Sequence, residues 1–263
     1  MHPDAAVAVD AAGAGAAIVR SAFGFGVDVR FKGDVDPVTA TDTAAEAAII
    51  SVITGARPDD HVLGEESGGI GWEDGRVWVV DPLDGTINFL HAIPHVAVSV
   101  ALWVDGRPEV GVVVDVMRQE TFSAVAGAGA ELDGTAMTVS SSSAMIDCLV
   151  ATGFPYDRRA HASAYATALG AVLAEVQGVR RFGSAALDLA WVACGRYDAY
   201  WEYGLAPWDA AAGALLVEEA GGKVTDHTGS AHRLDAPALV ASNGRIHHDL
   251  TGLVTANFPE HLR

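Results

Sequence analysis

The chain has 263 residues, half of them apolar and few aromatic, with a formal charge of −18. That length can fill one large core or two joined ones, built mainly from Ala, Val and Leu. The charge repels nucleic acid and anionic membranes, so neither is expected as a direct partner, and an anionic substrate would need bound cations to reverse the local sign. No uninterrupted apolar run reaches the roughly 18 residues of a membrane span. No basic segment precedes the Ala-rich start, which argues against a signal peptide and for a cytoplasmic protein. Cys148 and Cys194 lack metal-ligand spacing and are expected to be buried free thiols.

Asp4 to Phe23 reads as a first helix. Gly13-Ala-Gly15 inside it lacks the preceding strand and the third glycine of a dinucleotide fingerprint. Val29 to Asp36, with the isolated Lys32, reads as an exposed, mobile loop. Thr43-Ala-Ala-Glu46 has the spacing of a capping box before a helix ending at Gly55, which leaves Asp42 just outside the cap, complementing the helix dipole. His61 to Leu63 and Val77 to Val80 read as strands, the second buried on both faces and stopping at Asp81, because Pro82 removes a ladder donor. Asp81-Pro82-Leu83-Asp84-Gly85 then turns the chain into a short helical turn, Thr86 to Leu90. Val96 to Val104 alternates with period two and opens a meander through Val110–Val116, Glu120–Ala126 and a short strand at Met137–Val139. Gly127 and Gly129 fit a hairpin better than a phosphate loop, since no helix follows them.

The polar run Ser140–Ser143 is the expected boundary between two halves, 1–140 and 141–263. The second half alternates: strand Cys148–Thr152, helix Ala160–Val176, strand Val179–Phe182, helix Ser184–Cys194 with Ser184 as N-cap, and strand Tyr197–Trp201. Helix Pro207–Ala220, strands Lys223–Thr225 and Ala238–Ala241, and helix Ile246–Asn257 complete it. An α+β half joined to an α/β half is the fold class this order implies.

Asp81 and Asp84 flank a tight turn at a buried strand end, and alone they would read as Asx-type caps. Gly64-Glu65-Glu66-Ser67, at the end of a neighbouring strand, changes the balance. Four acids converging on two strand ends repel one another unless a cation sits between them. Oxygen-only ligands suit a hard ion, with Mg²⁺ the usual choice beside a phosphate. Asp209, in the first turn of a helix, would by itself only complement the dipole, and Glu202 would be an exposed strand-end acid. The histidines, among them His91, His95 and the His247-His248 pair, show no zinc spacing, and no nucleophile elbow is present.

Gly64-Glu65-Glu66-Ser67, Asp81-Pro82-Leu83-Asp84-Gly85-Thr86 and Pro207-Trp208-Asp209-Ala210-Ala211-Ala212-Gly213 resemble, in order, the three signatures of the inositol monophosphatase family. The resemblance runs from about Lys32 to Asn243. It implies a layered α-β-α-β-α sandwich with its site where the halves meet. It also implies two to three Mg²⁺ ions: one on Glu65, Asp81 and the Leu83 carbonyl, a second between Asp81, Asp84 and Asp209, and a weaker third that also uses Glu65. Asp42, Thr86 and Glu65 become the catalytic residues, with Asp42 and Thr86 a hydrogen-bonded pair that activates water; Glu66 stands behind the ligands. Substrate contacts fall to Gly85, Thr86, Gly183, Ser184, Ala185, Asp209 and Glu202, the last accepting from inositol hydroxyls. Ile87 follows Thr86 where a polar residue is common.

The implied activity is Mg²⁺-dependent, lithium-sensitive hydrolysis of inositol 1-phosphate or a related polyol or sugar phosphate, with a homodimer the common assembly. Fructose-1,6-bisphosphatase, histidinol-phosphatase and nucleotide 3′-phosphatase activities share these motifs, and Arg180 and Arg181 are candidates for a second phosphate. A metal-loaded regulatory binding module without turnover is the reading from a different class. The complete ligand set and the Thr86/Asp42 pair disfavour it.

Overall fold

A computed structural model describes residues 2–25, 29–31, 37–69 and 71–262. In chain order the elements are α1 (Pro3–Ala22), β1 (Val29–Phe31), β2 (Pro37–Thr39), α2 (Ala40–Ala56), β3 (His61–Gly64), β4 (Arg76–Asp84), α3 (Thr86–Leu90), β5 (Ala97–Val104), β6 (Arg107–Asp115), β7 (Glu120–Val125), β8 (Gly129–Leu132) and β9 (Thr135–Ala136). There follow β10 (Leu149–Thr152), α4 (Arg158–Leu173), β11 (Gly178–Arg180), α5 (Ala185–Ala193), β12 (Ala199–Tyr203), α6 (Pro207–Glu219), β13 (Lys223–Thr225), β14 (Ala238–Ser242) and α7 (His247–Ala256). Strands β3 to β9 form one seven-stranded sheet in chain order, and β11-β10-β12-β14-β13 form a five-stranded sheet.

Five layers result, as the resemblance implies. Period-two alternation sends the two faces of each central strand to different cores. Trp78, Val80, Val98, Val100 and Leu102 pack against α1 and α2, while Val77, Val79, Ala101 and Trp103 meet α5 and α6. The other side of α5 and α6 covers Tyr200, Leu239 and Ala241 of the smaller sheet. Val150, Trp201 and Val240 on its outer face lie under α4 and α7. Helix α1 is long and apolar enough to cross a membrane by length and composition alone. Here it is a core helix, with Ala8, Ala11, Ala12 and Val19 buried in that outer layer. Its Gly15 carries no phosphate loop: a Cβ there would lie 2.7 Å from Ile49 Cδ1, so the glycine permits the close crossing of α1 and α2.

The structure corrects several sequence expectations. Helix α2 starts at Ala40, and its capping box is Thr39 with Asp42, not Thr43 with Glu46. Asp42 therefore lies inside the first turn. Strand β4 does not stop at Asp81 but continues to Asp84. Pro82 is tolerated because β3 pairs with β4 only as far as Val80, and on the other side Asp81↔Ser99 is followed by Asp84↔Ala97, a bulge with one extra residue on β4. Val29–Phe31 pairs with Pro37–Thr39 instead of forming a continuous loop, and Lys32 lies outside the described residues. The short strand expected at Met137–Val139 is Thr135–Ala136. Gly127 and Gly129 do belong to a hairpin, and their amides donate to the Glu219 carboxylate. Cys148 and Cys194 are free, and only the first is fully buried.

The middle helices explain the alanine-rich composition. A Cβ on Gly213 of α6 would lie 2.5 Å from Leu189 Cβ of α5, and Leu189 is fully buried. Gly213→Ala gains up to about 1 kcal/mol of helix propensity. The overpacking it forces costs about 1–3 kcal/mol, because a backbone-proximal Cβ cannot swing away. The variant is expected to unfold at lower denaturant concentration with an unchanged m-value; equal or higher stability in urea titrations would show that α5 and α6 are not pinned together at this crossing.

Candidate active site

The site starts from two parallel strand ends. β3 and β4 run parallel in register Gly64↔Val80, so Glu65 and Asp81 follow side by side where that pairing ends, Asp81 staying paired with Ser99 on its other side. The Glu65 amide donates to Val80 O at 3.1 Å, continuing that pairing by one residue. Strand alternation would put Asp81 and Asp84, three apart, on opposite faces. The bulge removes that problem: Leu83 turns into the α1/α2 core, while Asp84 emerges on the α5/α6 side with Asp81. Gly85 takes φ +91°, a left-handed conformation that L side chains seldom adopt, and α3 starts at Thr86.

A cavity of about 340 Å³ is lined by Glu65, Asp81, Leu83, Asp84, Gly85, Thr86 and Asp209, with Tyr156 and Trp208 on its walls. No basic side chain is among the described residues lining it. An adjoining cavity shares Asp84, Gly85, Thr86 and Asp209 and adds Ile87, Asn88, Arg158, Arg181, Gly183, Ala185 and Glu202. The expected metal ligands and most of the expected substrate contacts thus face one continuous hollow between the sheets. Ser184 does not line it. Its hydroxyl donates to Asp84 Oδ2 at 2.6 Å, and the Ala186 amide donates to the same oxygen at 2.8 Å. Ser184 stands at the N-cap of α5, yet its side chain orients a carboxylate from the other sheet and does not cap its own helix.

Burial and mutual repulsion raise these carboxyls. Asp81 is pushed well above the ordinary range, first by burial and then by Glu65, Asp84 and Asp209; a bond from the Leu83 amide offsets this only partly. Asp209 is raised well above the ordinary range by burial and Asp84, although its Oδ2 accepts from the Ala206 amide and so closes the first turn of α6. Asp84 is raised to about 6 by burial, which the bonds from Ser184 and Ala186 counter. All-oxygen donors in a roomy, partly open hollow fit hard divalent ions.

Asp42 and Thr86 meet as the resemblance implies. Thr86 Oγ1 lies 3.2 Å from Asp42 Oδ1 and 3.0 Å from Leu83 O, so its single proton serves one of two acceptors. Asp42 Oδ2 accepts from the Thr39 amide and hydroxyl, and burial raises its pKa against those bonds. Helix capping and presentation to Thr86 are thus performed by different oxygens of one carboxylate.

Glu202, one residue before the end of β12, lines the second cavity. Its Oε2 accepts from Tyr200 OH, and burial raises it to about 7 despite that bond and the nearby Arg181. β10 and β12 pair in parallel with Thr152↔Trp201, which sets Gly153 opposite Glu202. A Cβ on Gly153 would lie 1.9 Å from Glu202 Oε2. Arg181 lines the cavity, whereas Arg180 points away and donates to its neighbour Val179 O.

Three residues escaped sequence reasoning. Glu46, assigned to a cap, is buried and accepts from the Glu66 and Ser67 amides at 2.9 and 2.8 Å, holding the turn that carries Glu65. The Glu66 amide is thus engaged, and its side chain lines neither cavity. Asn88 donates to His95 O at 2.8 Å and Phe182 O at 2.7 Å, tying α3 to the loop before α5. Asp188 of α5 is buried with neither carboxylate oxygen hydrogen-bonded, and burial, Glu202 and Asp84 raise it well above the ordinary range. The Glu46 spacing to Gly64–Ser67 is non-local, and an apolar helix context hides Asp188. Asn88, inside a signature stretch, was open to notice.

Acids with raised folded pKa values bind protons that the unfolded chain has already released, so stability falls as pH rises through the folded values. A rise from 3.8 to about 6 at Asp84 corresponds to roughly 3 kcal/mol. Metal-free protein is expected to melt at a higher temperature near pH 5.5 than near pH 8, Mg²⁺ should flatten the difference, and Asp84→Asn should reduce it without metal. Below about pH 4, protonation of Asp4, which is lowered by hydrogen bonds to Arg57 and Arg76 against its burial, works in the opposite sense. A chelated sample whose melting temperature rises steadily from pH 5.5 to pH 8 would contradict the repulsive cluster.

Comparison with known proteins identifies the family. The description "Inositol monophosphatase family" matches residues 1–262. Nus factor SuhB of Escherichia coli (strain K12) is 44% identical over 249 residues, 94% of this chain and 93% of that protein. Inositol-1-monophosphatase of Rhizobium meliloti (strain 1021) is 43% identical over 234 residues, 89% of this chain and 88% of its own. The solved inositol monophosphatase from Anabaena (Nostoc) sp. PCC 7120 superimposes with a TM-score of 0.88 at 38% identity, over 99% of this chain and 98% of that one. With three signatures, five layers and a carboxylate hollow at the seam of its two sheets, the chain belongs to the inositol monophosphatase family.

Proposed function

We propose that the protein is a metal-dependent phosphomonoesterase that hydrolyses inositol 1-phosphate or a related small polyol or sugar phosphate. One observation carries the reading: Glu65, Asp81, Asp84 and Asp209, from both halves of the chain, face a single cavity beside the Thr86–Asp42 pair. Glu65, Asp81, Asp84, Asp209 and the Leu83 carbonyl would hold two to three Mg²⁺, Asp81 being shared. When bound, the ions supply positive charge for the phosphate oxygens and acidify water.

The chain's own groups do the rest. Thr86 Oγ1 turns its proton to Asp42 Oδ1 and offers a lone pair to a water hydrogen. As the water oxygen bonds to phosphorus, the ester P–O bond breaks and the polyol leaves as its alkoxide, which takes a proton from solvent water. The attacking water's proton passes to Thr86 and the Thr86 proton to Asp42, whose raised pKa suits an acceptor and which later returns its proton to solvent. Thr39 holds Asp42 by its other oxygen, so the accepting atom stays in place. Glu202 accepts from substrate hydroxyls at the outer end of the hollow. Gly85, Gly183 and Ala185 let the substrate approach backbone closely, and Ser184 acts one step back, through Asp84. We assign residues 1–140 to the unit that carries most metal ligands, and 141–263 to the unit supplying Asp209 and the hydroxyl-reading wall.

Arg158 and Arg181, on the wall with Glu202, favour a bisphosphate such as fructose 1,6-bisphosphate as the second substrate reading. No lining residue singles out histidinol phosphate or a nucleotide 3′-phosphate. Some relatives are named as a Nus factor and not as a phosphatase, which keeps the non-enzymatic binding module as the competing class. The net charge of −18 disfavours direct contact with nucleic acid. A cytoplasmic location, homodimer formation and lithium sensitivity belong to the same proposal.

Phosphate release from inositol 1-phosphate is expected to require Mg²⁺ and to fall in millimolar Ca²⁺, which prefers longer, looser coordination. Turnover that persists in excess chelator would defeat the metal assignment. No turnover on any of the four candidate substrates, despite Mg²⁺ binding, would favour the binding module.

Glu202→Gln separates substrate reading from metal binding. It loses a charge-assisted bond of about 1.5–3 kcal/mol, so kcat/KM on inositol phosphate should drop by roughly one to two powers of ten. A small aryl phosphate has no such hydroxyls, and its hydrolysis and Mg²⁺ dependence should barely change. Equal losses on both substrates would place Glu202 with the metal ligands.

A further inference from the structure

Behind the wall of the hollow lies a second group of metal-ligating side chains, made from the two ends of the outer layer. Asp157 stands at the N-cap of α4, His161 one turn in, and His261 follows α7 in the last residues of the chain. One ligand atom from each lies within 4.8 Å of the others. His161 has φ −123° and ψ 19°, so it breaks the helix where its ring must reach across to the C-terminus. Its ring stacks on that of His261 with centroids 3.4 Å apart and 6° between planes. Tyr165 completes the group: its hydroxyl donates to Asp157 Oδ1 at 2.7 Å and lies 3.0 Å from His261 Nε2, which in turn is 3.1 Å from Asp157 Oδ2. The His261 and Asp157 side chains are 21% and 39% exposed, so an ion from solution can reach them.

We propose that Asp157, His161 and His261 form a second metal site, distinct from the carboxylate hollow and selective for Zn²⁺-like ions over Mg²⁺. Two imidazoles and one carboxylate are the donor set of Zn²⁺, Co²⁺ and Ni²⁺, and hard Mg²⁺ competes poorly for imidazole. The ion takes the place of the proton that His261 Nε2 shares with Tyr165 and Asp157. Parallel rings cannot both point their lone pairs at one ion, so His161 turns about its Cβ–Cγ bond on binding. Tyr165 keeps its bond to Asp157 Oδ1 and so orients that ligand from behind. The consequence reaches the hollow, because Phe154, Pro155, Tyr156 and Arg158, immediately around Asp157, form its outer wall. A bound ion clamps that wall to the C-terminus. The site does not depend on the proposed activity.

The test uses full-length protein without an affinity tag, kept in millimolar Mg²⁺ so that the carboxylate hollow is filled. Zn²⁺ is titrated calorimetrically, and Co²⁺ is followed by its visible absorption. One equivalent is expected to bind. Its affinity should fall by about tenfold or more in His161→Ala and in His261→Gln, while Asp84→Asn retains it. Zn²⁺ should raise the melting temperature of the wild type and of Asp84→Asn but of neither histidine variant. Circular dichroism of the histidine variants confirms that they are folded. Absence of a one-equivalent site in the wild type, or an affinity in either histidine variant less than about tenfold below it, overturns the proposal.

Discussion

Electrostatic repulsion among Glu65, Asp81, Asp84 and Asp209 is the constraint around which the chain is arranged. Left to themselves, buried like charges would push the seam of the two sheets apart or take up protons. The fold answers with fixed donors where it can. The Leu83 amide serves Asp81, Ser184 and the Ala186 amide serve Asp84, and the Ala206 amide serves Asp209. Each bond uses one oxygen and leaves another for the hollow. Two of these carboxylates, Asp84 and Asp209, are also structural: the first binds the start of α5 across the seam, the second closes the first turn of α6. The dipole-complementing role that sequence suggested for Asp209 and the ligand role proposed for it are therefore compatible.

Most of the elements were legible in chain order because local rules dominated them, while their layering came from the resemblance. Alternation in β5, the Asp105-Gly106 turn, Pro at the start of α6 and Gly-Gly at its end each act within a few residues. What could not be read depended on distant partners. Thr43–Glu46 had the right spacing for a capping box, but Thr39 with Asp42 had it too, and the choice was made by what Glu46 has to do. Its carboxylate is required by the Gly64–Ser67 turn some twenty residues away. Pro82 looked like a strand end because the rule about ladder donors assumes a neighbour on both sides, and β3 stops pairing before Pro82. At Asp42 and Asp209 the residues alone supported helix-end chemistry, and only the resemblance pointed further. The structure brings both into the hollow's wall or beside it.

The alanine-rich composition follows from the same seam. α5 and α6 serve two sheets at once and must lie close to both and to each other. Small residues on nearly every face allow that approach, with Gly213 at the tightest crossing. Bulk in this middle core comes largely from the flanking sheets, as at Trp103, Phe122 and Tyr200, while Trp78, Ile49 and Ile53 on one side and Trp201 and Tyr165 on the other fill the outer layers. Rigid middle helices matter for chemistry, since Ser184 and Asp209 are positioned by their first turns.

Gly153, just past the end of β10, lies against Glu202 of β12, and the carboxylate occupies the space where a side chain at Gly153 would begin. The two positions are thus one steric unit. Among chains with this fold, any residue larger than glycine at the first position is compatible only with a shorter or redirected side chain at the second. Pairs that trade glycine and glutamate for something else would therefore change together, and such a joint change would reshape the outer end of the hollow. Under the proposed function, that would make the backbone at the end of β10 a determinant of selectivity.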